Sequence, residues 1–401
     1  MINSKIKLDH LGQFYAAARS MDNPGTFSIG AHLKEPIDPA TLQRAVNDIM
    51  RRLPHLNVRQ VSGFFQHHNK ILANYPKIRP QGDYPTPCSC FIGQDHLLRI
   101  LYGTRHFTLE VQHSVCDGRS LAMAAASLLI RYFELMGVSV VSEGFINVND
   151  AAHIEETEDA YARHADLRKS KSKSKSEHAE DVFIPDYQAA AARIMVYKID
   201  LAQLKQQTKA LGVTITEYIL AHIFSGFAKL RSDEGCNNMG ITCTVPIDCR
   251  SYFPTKSLRN FVSHKVVKML ESPEFGEVAH DIRNQLAKIT PEYIQDKISE
   301  PERLLRLGRF VPLPIKKLII CHVGHSLSAG CTTGFSNLGY IKLPDEVRHR
   351  LDMLSFALGP EPNMPYQFAC VAAGNVLTLT ATTIAKDTEI ADKIAAALGS
   401  V

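Results

Sequence analysis

The 401-residue chain has no tryptophan, which excludes any motif built on an indole. It has no apolar run approaching the roughly 20 residues that span a bilayer, so no membrane-spanning helix is expected. The first ten residues, Met1 to His10, lack a continuous hydrophobic stretch, and a secretory leader is not expected either. No glycine-rich loop opens a helix, which removes the usual phosphate cradle of nucleotide-binding proteins. The nine cysteines are odd in number and follow no repeating framework, as expected of reduced thiols in a cytoplasm. Cys88-Ser89-Cys90, His67-His68, and Cys321 with His322 and His325 lack the paired spacings of structural zinc sites, so no metal is expected. Nor is there a basic face. The net charge of +4 comes from interspersed acids and bases, which argues against a nucleic-acid partner.

What is present describes an ordinary globular protein, 45% hydrophobic and 21% charged. The length suits two domains of similar size. From about 142 to 186 the periodicity fades. Glu155-Glu156-Thr157-Glu158-Asp159 is followed there by the one basic tract, Arg168 to Ser176, a Lys-Ser repeat. Its composition predicts a solvated loop. A second reading has it attract the phosphates of coenzyme A or an acidic carrier protein. The expected organisation is an N-terminal lobe over 1–165, a linker over 166–185 and a C-terminal lobe over 186–401.

Strands are predicted at about 27–34, 56–66, 97–102 and 106–113, with helices at 38–52 and 118–136. Asp38 is an N-cap with Pro39 at the first helical position, and Leu42, Val46, Ile49 and Met50 share one face. In the second half, 193–199 alternates as a strand and 201–210 reads as a helix. Thr214 to Glu217 is a capping box opening the helix that carries Ile219, Ile223, Phe227 and Leu230. Further strands are predicted at 240–246, 261–270, 333–342, 366–373 and 376–383. Strands and helices mixed in both halves predict an α/β fold, an α+β sandwich in each lobe.

The most informative stretch is Gln112-His113-Ser114-Val115-Cys116-Asp117-Gly118. Phe107, Leu109, Val111 and His113 alternate with Thr108, Glu110 and Gln112, which puts the histidine on the apolar face of a half-buried strand. Leu121, Ala125, Leu128, Leu129 and Tyr132 recur at helical spacing beyond Gly118. Three roles are open to this imidazole: a packed core histidine, half of a Cys–His pair with Cys116, or a base lining a pocket. Asp117 can fold back toward the ring or pair with a cation beneath it. Gly118 is expected to supply a tight or left-handed backbone where loop meets helix.

His113, Asp117 and Gly118, set between strand and helix, resemble the His-x-x-x-Asp-Gly signature of the chloramphenicol-acetyltransferase-like acyltransferases. Three more segments resemble that superfamily, in its order. They are 27–59, then Val245 to Arg250 with Leu258-Arg259-Asn260-Phe261-Val262, then Phe335-Ser336-Asn337-Leu338-Gly339. Arg259 stands where the family's Gly-Asn-Phe-type element has glycine. Gln112 stands where condensation domains usually carry a second histidine, and alcohol acyltransferase branches commonly do not. The plant branch's Asp-Phe-Gly-Trp-Gly element is excluded by the missing indole.

The resemblance implies two lobes with a tunnel running between them past the histidine. It implies acyl transfer from acyl-CoA to the hydroxyl or amine of a small acceptor, by direct attack, with His113 as general base. No bound cofactor is implied, coenzyme A thioester being a co-substrate. Asp117 takes a structural role against an arginine, for which Arg250 is the candidate and Arg119 and Arg259 the competitors. Asn260 is a supporting residue. Backbone N–H groups around Gly118, or Ser336 and Asn337, are candidates for oxyanion stabilisation. Two alternatives stand beside this reading: a condensation-type enzyme fed by an acyl carrier protein, and a non-catalytic carrier- or ligand-binding member. A cysteine hydrolase using Cys116 is a minor third.

Overall fold

The computed structural model describes residues 4–20, 23–82, 88, 91, 96–168, 181–187, 192–271, 274–328, 330–359 and 361–400, with 321–328 by backbone alone. The Lys-Ser repeat and the Ser89-Cys90 pair lie outside these residues, as do the side chains of Cys321, His322 and His325.

The first lobe is built on a five-stranded sheet. Its order is Leu351–Leu358, Thr26–Leu33, His106–Gln112, Leu98–Tyr102 and Arg79–Pro80. The helices Pro39–Arg52 and Gly118–Leu135 pack together with this sheet, and their apolar residues merge with those of the strands in one core. Asp38 caps the first helix as expected, its carboxylate accepting from the Thr41 N–H at 2.8 Å. Leu42, Val46, Ile49 and Met50 are all buried.

The second lobe carries a mixed six-stranded sheet. Its order is Val262–Lys268, Thr242–Asp248, Thr333–Tyr340, Tyr366–Ala373, Val376–Thr383 and Arg193–Asp200. Thr333–Tyr340 runs parallel to both neighbours and the remaining pairs are antiparallel. The helix Ile215–Asp233 starts at the expected capping box: Thr214 and Glu217 satisfy each other's backbone N–H. It contributes Ile219, Ile223, Phe224 and Phe227 to a second core.

Two differences from the sequence expectation concern the sheets. The segment 56–66 is not one strand: Val58–Ser62 turns through a Gly63 N–H to Gln66 carbonyl bond of 3.0 Å into His67–Ile71. Lys5–Lys7 completes that small sheet. The second difference concerns Leu351–Leu358, to which periodicity assigns no element. It is buried along both faces, so no alternation marks it. It pairs antiparallel with Thr26–Leu33, which places a strand from the C-terminal half of the chain in the first lobe.

Polar contacts of the 156–161 segment join the lobes, and a clamp within the first lobe anchors that segment. Arg52 holds Glu156 through two bonds of 2.7 Å. The Glu156 carbonyl accepts from Leu258 N–H at 2.8 Å, and the Ser257 hydroxyl donates to the Glu158 carbonyl at 2.8 Å. The Tyr161 hydroxyl donates to the Val262 carbonyl at 2.6 Å and accepts from its N–H at 2.9 Å. No single helix among the described residues is long and apolar enough to cross a membrane.

Replacing Arg52 with Ala leaves the Glu156 carboxylate without its buried partner. The expected loss is about 3–5 kcal/mol in denaturant unfolding. A change within the scatter of surface substitutions would show that the clamp carries no stability.

Candidate active site

The strand His106–Gln112 delivers the motif. Phe107, Leu109 and Val111 enter the first core, as expected. The opposite face is also buried: Thr108, Glu110 and Gln112 lie inside, with Glu110 paired to Arg99 on the adjoining strand. The strand is therefore covered on both sides rather than half-buried, because the Arg99 guanidinium balances the inward carboxylate. Gln112 ends it. Its side-chain oxygen accepts from Ser114 N–H at 2.8 Å, and its carbonyl from Val115 N–H at 3.0 Å, so the chain turns at once. The amide of Gln112 also donates to the Tyr15 carbonyl at 3.2 Å.

Asp117 follows as N-cap of Gly118–Leu135 and accepts from three donors. These are Ser120 N–H at 2.9 Å, Phe261 N–H at 2.9 Å, and the Arg250 guanidinium at 2.7 Å. Arg250 spends its remaining N–H groups on Asp248, the Ser120 hydroxyl and the carbonyls of Ser257 and Arg259. The competitors sit elsewhere. Arg119 pairs with Asp248, and Arg259 bonds Asp9 at 3.1 Å and the Lys7 carbonyl at 2.6 Å. Burial alone would raise the Asp117 carboxyl. The Arg250 charge and the N–H donors outweigh it and hold the group below the usual carboxylate range. Asp117 does not bond the imidazole; it holds the loop.

The ring is held by Asn260. His113 Nδ1 lies 3.1 Å from Asn260 Oδ1, while Asn260 Nδ2 donates to the His113 carbonyl at 2.9 Å. That carbonyl can only accept, so the amide nitrogen must face it and the amide oxygen must face the ring. Nδ1 therefore carries the proton, and Nε2 keeps its lone pair. Tyr15 stacks on the imidazole with centroids 4.3 Å apart, and Phe27 meets its edge at 4.8 Å. Burial pushes the His113 pKa below the ordinary histidine value, against the opposing pull of Asp117 and Asn260, so the ring is neutral at pH 7.

Cys116 is wholly buried in the first core, and that burial raises its thiol well above the ordinary value. Such a thiol supplies no thiolate.

Of the tight or left-handed backbone expected at Gly118, the left-handed form is not adopted. What the glycine supplies is space. A Cβ there would stand 2.8 Å from Leu338 Cδ2, so any side chain at this position would require Leu338 to shift. In the facing turn Gly339 is left-handed, with φ of 72°. Asn337 shapes that turn: its Oδ1 accepts from Gly339 N–H at 2.7 Å and its Nδ2 donates to Thr216 Oγ1 at 3.0 Å. Ser336 faces the cavity.

That cavity, about 1350 Å³, is lined by both lobes. His113, Gly118, Met123 and Phe27 come from the first, and Thr244, Ser263, Ser336 and Leu338 from the second. The sequence expectation of a passage between lobes past the histidine describes it. Sequence reasoning missed Tyr15 and Asp9 on the helix His10–Ala18. Asp9 caps that helix through Gly12 N–H at 2.6 Å, and an Asp ahead of Leu11, Phe14 and Ala17 was the available signal.

Replacing Arg250 with Ala strands a buried carboxylate and should cost about 3–5 kcal/mol of stability, whereas Arg119→Ala, at an exposed pair, should cost about 1 kcal/mol or less. Equal effects in denaturant titrations would contradict the assignment.

The model of the alcohol acetyltransferase family matches residues 159–372. The match takes in Arg250, Asn260 and the Ser336–Gly339 turn, and the histidine motif precedes it. No match is found among curated proteins. Among solved structures, the chain is similar to polyketide synthase associated protein 5 from Mycobacterium tuberculosis. That likeness has a TM-score of 0.66 and 15% identity, and covers 99% of this chain and 98% of the other. It is similar to the first condensation domain of the CDA synthetase, with a TM-score of 0.62, 14% identity, and 99% and 96% coverage. It is also similar to F. sporotrichioides TRI101 complexed with coenzyme A and T-2, with a TM-score of 0.63, 11% identity, and 98% and 97% coverage. These likenesses establish the two-lobed fold, and the family match over more than half the chain establishes that this protein belongs to the alcohol acetyltransferase family and is an acyltransferase.

Proposed function

We propose that the enzyme moves an acyl group from an acyl-CoA thioester to the hydroxyl, or amine, of a small acceptor by direct attack, with His113 as general base. The observation that carries this reading is the tautomer imposed by Asn260. It leaves Nε2 unprotonated on a neutral ring that lines the cavity. Nε2 takes the acceptor's proton as the acceptor oxygen bonds to the thioester carbonyl carbon. The tetrahedral oxyanion then collapses, the C–S bond breaks, and the imidazolium returns the proton to the leaving thiolate. Because Asn337 is committed to its turn, we assign the Ser336 hydroxyl, with the N-terminus of Gly118–Leu135, to the oxyanion. A coenzyme A donor is supported by the likeness to TRI101, whose structure is complexed with coenzyme A.

The same proposal takes the lobes as 1–165 and 186–401, with Leu351–Leu358 crossing to the first. It puts the enzyme in the cytoplasm, which the free cysteines among the described residues support.

A free-thiol release assay over acyl-CoAs with alcohols or amines tests it. Release should require an acceptor, and His113→Ala should lower kcat by about 10²–10⁴-fold. Turnover by an acyl carrier protein alone, with coenzyme A thioesters inert, would overturn the donor assignment. Acyl-Ser or acyl-Cys trapped on intact enzyme would overturn direct attack.

The pH profile checks the base. A depressed His113 pKa keeps the base unprotonated at neutral pH, so kcat/KM should fall only below the ordinary histidine value. Asn260→Asp puts a carboxylate beside the ring and favours the imidazolium. The acid limb should then move upward by about one unit or more. An unmoved limb would assign the titration to another group.

A further inference from the structure

A strongly apolar surface lies at one mouth of the cavity, and nothing in acyl transfer requires it to face water. Phe64 is 72% exposed, Phe310 68%, Leu307 75% and Leu318 74%. These side chains come from three segments that meet. The Leu313 N–H donates to the Phe64 carbonyl at 2.8 Å, which ties the hairpin tip to the helix Leu313–Ser328. The ring of Phe65 sits 4.8 Å from Phe64 and 6.2 Å from Phe310, and Lys316 Nζ donates to the Phe65 carbonyl at 2.7 Å. Ile315, Leu318 and Ile319 add one face of the helix, all exposed. Scattered exposed leucines are ordinary; a contiguous patch with two aromatic tips is not.

The segment that carries Leu307 and Phe310 and opens the helix is basic, while Glu300 lines the adjoining cavity. From Arg303 to Lys317 the sequence has five basic residues and no acidic one. Arg309 lies over the Phe310 ring at 4.6 Å. Glu302, just before this stretch, is buried and already paired with Arg306. The surface is also continuous with the cavity, whose lining includes Leu304, Leu305, Gly308, Val311, Lys316 and Ile319.

We propose that this surface docks the enzyme on an anionic lipid membrane, so that the cavity opens onto the bilayer interface. Large apolar side chains projecting singly into solvent, rimmed by cations, suit a fluid apolar phase that closes around each of them. A protein partner would need a matching set of pockets. Lysine and arginine stems lie along apolar surface while their heads reach phosphates. Docking explains a cavity mouth built from apolar side chains: an apolar acceptor or acyl chain passes from the interface into it without crossing water. That last step rests on the proposed acyl transfer, whereas docking itself does not.

Cosedimentation with vesicles tests the docking without measuring turnover. Wild type should bind vesicles of phosphatidylcholine with phosphatidylglycerol far better than phosphatidylcholine alone, and less as salt rises. The combined variant Leu307→Ser, Phe310→Ser, Leu318→Ser changes exposed side chains that do not line the cavity. It should lose binding on the order of a hundredfold while keeping thiol release on water-soluble substrates. Arg309→Glu with Lys317→Glu should abolish the preference for the anionic vesicles and leave the fold intact by circular dichroism. Three results would overturn the proposal. They are no binding of wild type to either vesicle, vesicle binding that both variants retain, or self-association, or capture of an acyl carrier protein, that the first variant abolishes while vesicles are ignored.

Discussion

The Asp117–Arg250 pair is the constraint on which the site rests. A buried carboxylate is tolerable only with a cation and hydrogen bonds to match it, and Asp117 obtains both from the opposite lobe. Arg250 comes from the end of Thr242–Asp248, and the Phe261 N–H from the stretch just before Val262–Lys268. The pair therefore fixes more than its own geometry. It sets where the helix Gly118–Leu135 begins, and it draws the 257–261 loop against the end of the histidine strand. Asn260, one residue before Phe261, then reaches the ring. The carboxylate makes no bond to the imidazole, yet its contacts bring Asn260 to the ring.

This arrangement gives the proposed base an unusual dependence. The imidazole rides on one lobe and its tautomer is dictated by an amide on the other, 147 residues away in sequence. Under the proposed mechanism, a base whose tautomer depends on contact between lobes is competent only with the lobes closed as seen here. The cavity is the space left between the same two lobes. Any motion that widened it would loosen the Asn260 contact as well.

Much of this was legible beforehand, for local reasons. The Asp38 cap, the Thr214–Glu217 capping box and the alternation of Phe107, Leu109 and Val111 are short-range signals, and each forms its element where expected. Arg250 could be named but not separated from Arg119 and Arg259, because three arginines of like charge differ only in where the fold carries them. The left-handed option for Gly118 was not taken, for a related reason. A glycine at a loop–helix junction suggests backbone freedom, but here it answers to Leu338, which is distant in the chain. The inward faces of Thr108, Glu110 and Gln112 looked solvent-directed because a charge alternated with apolar residues, and the Arg99 partner that permits burial lies on another strand. Tyr15 was missed because stacking on an imidazole leaves no spacing pattern.

The strand Leu351–Leu358 bears on how the chain is made. Thr26–Leu33 is among the first strands to leave the ribosome, yet its neighbour on one side is synthesised more than three hundred residues later. Until then the first sheet carries an unpaired apolar edge, the kind of template that recruits other chains. The nascent first lobe must wait, incomplete, for nearly the whole polypeptide. Cutting the gene between the lobes would accordingly not yield two independent folding units, but one unit short of a strand and another with a strand to spare.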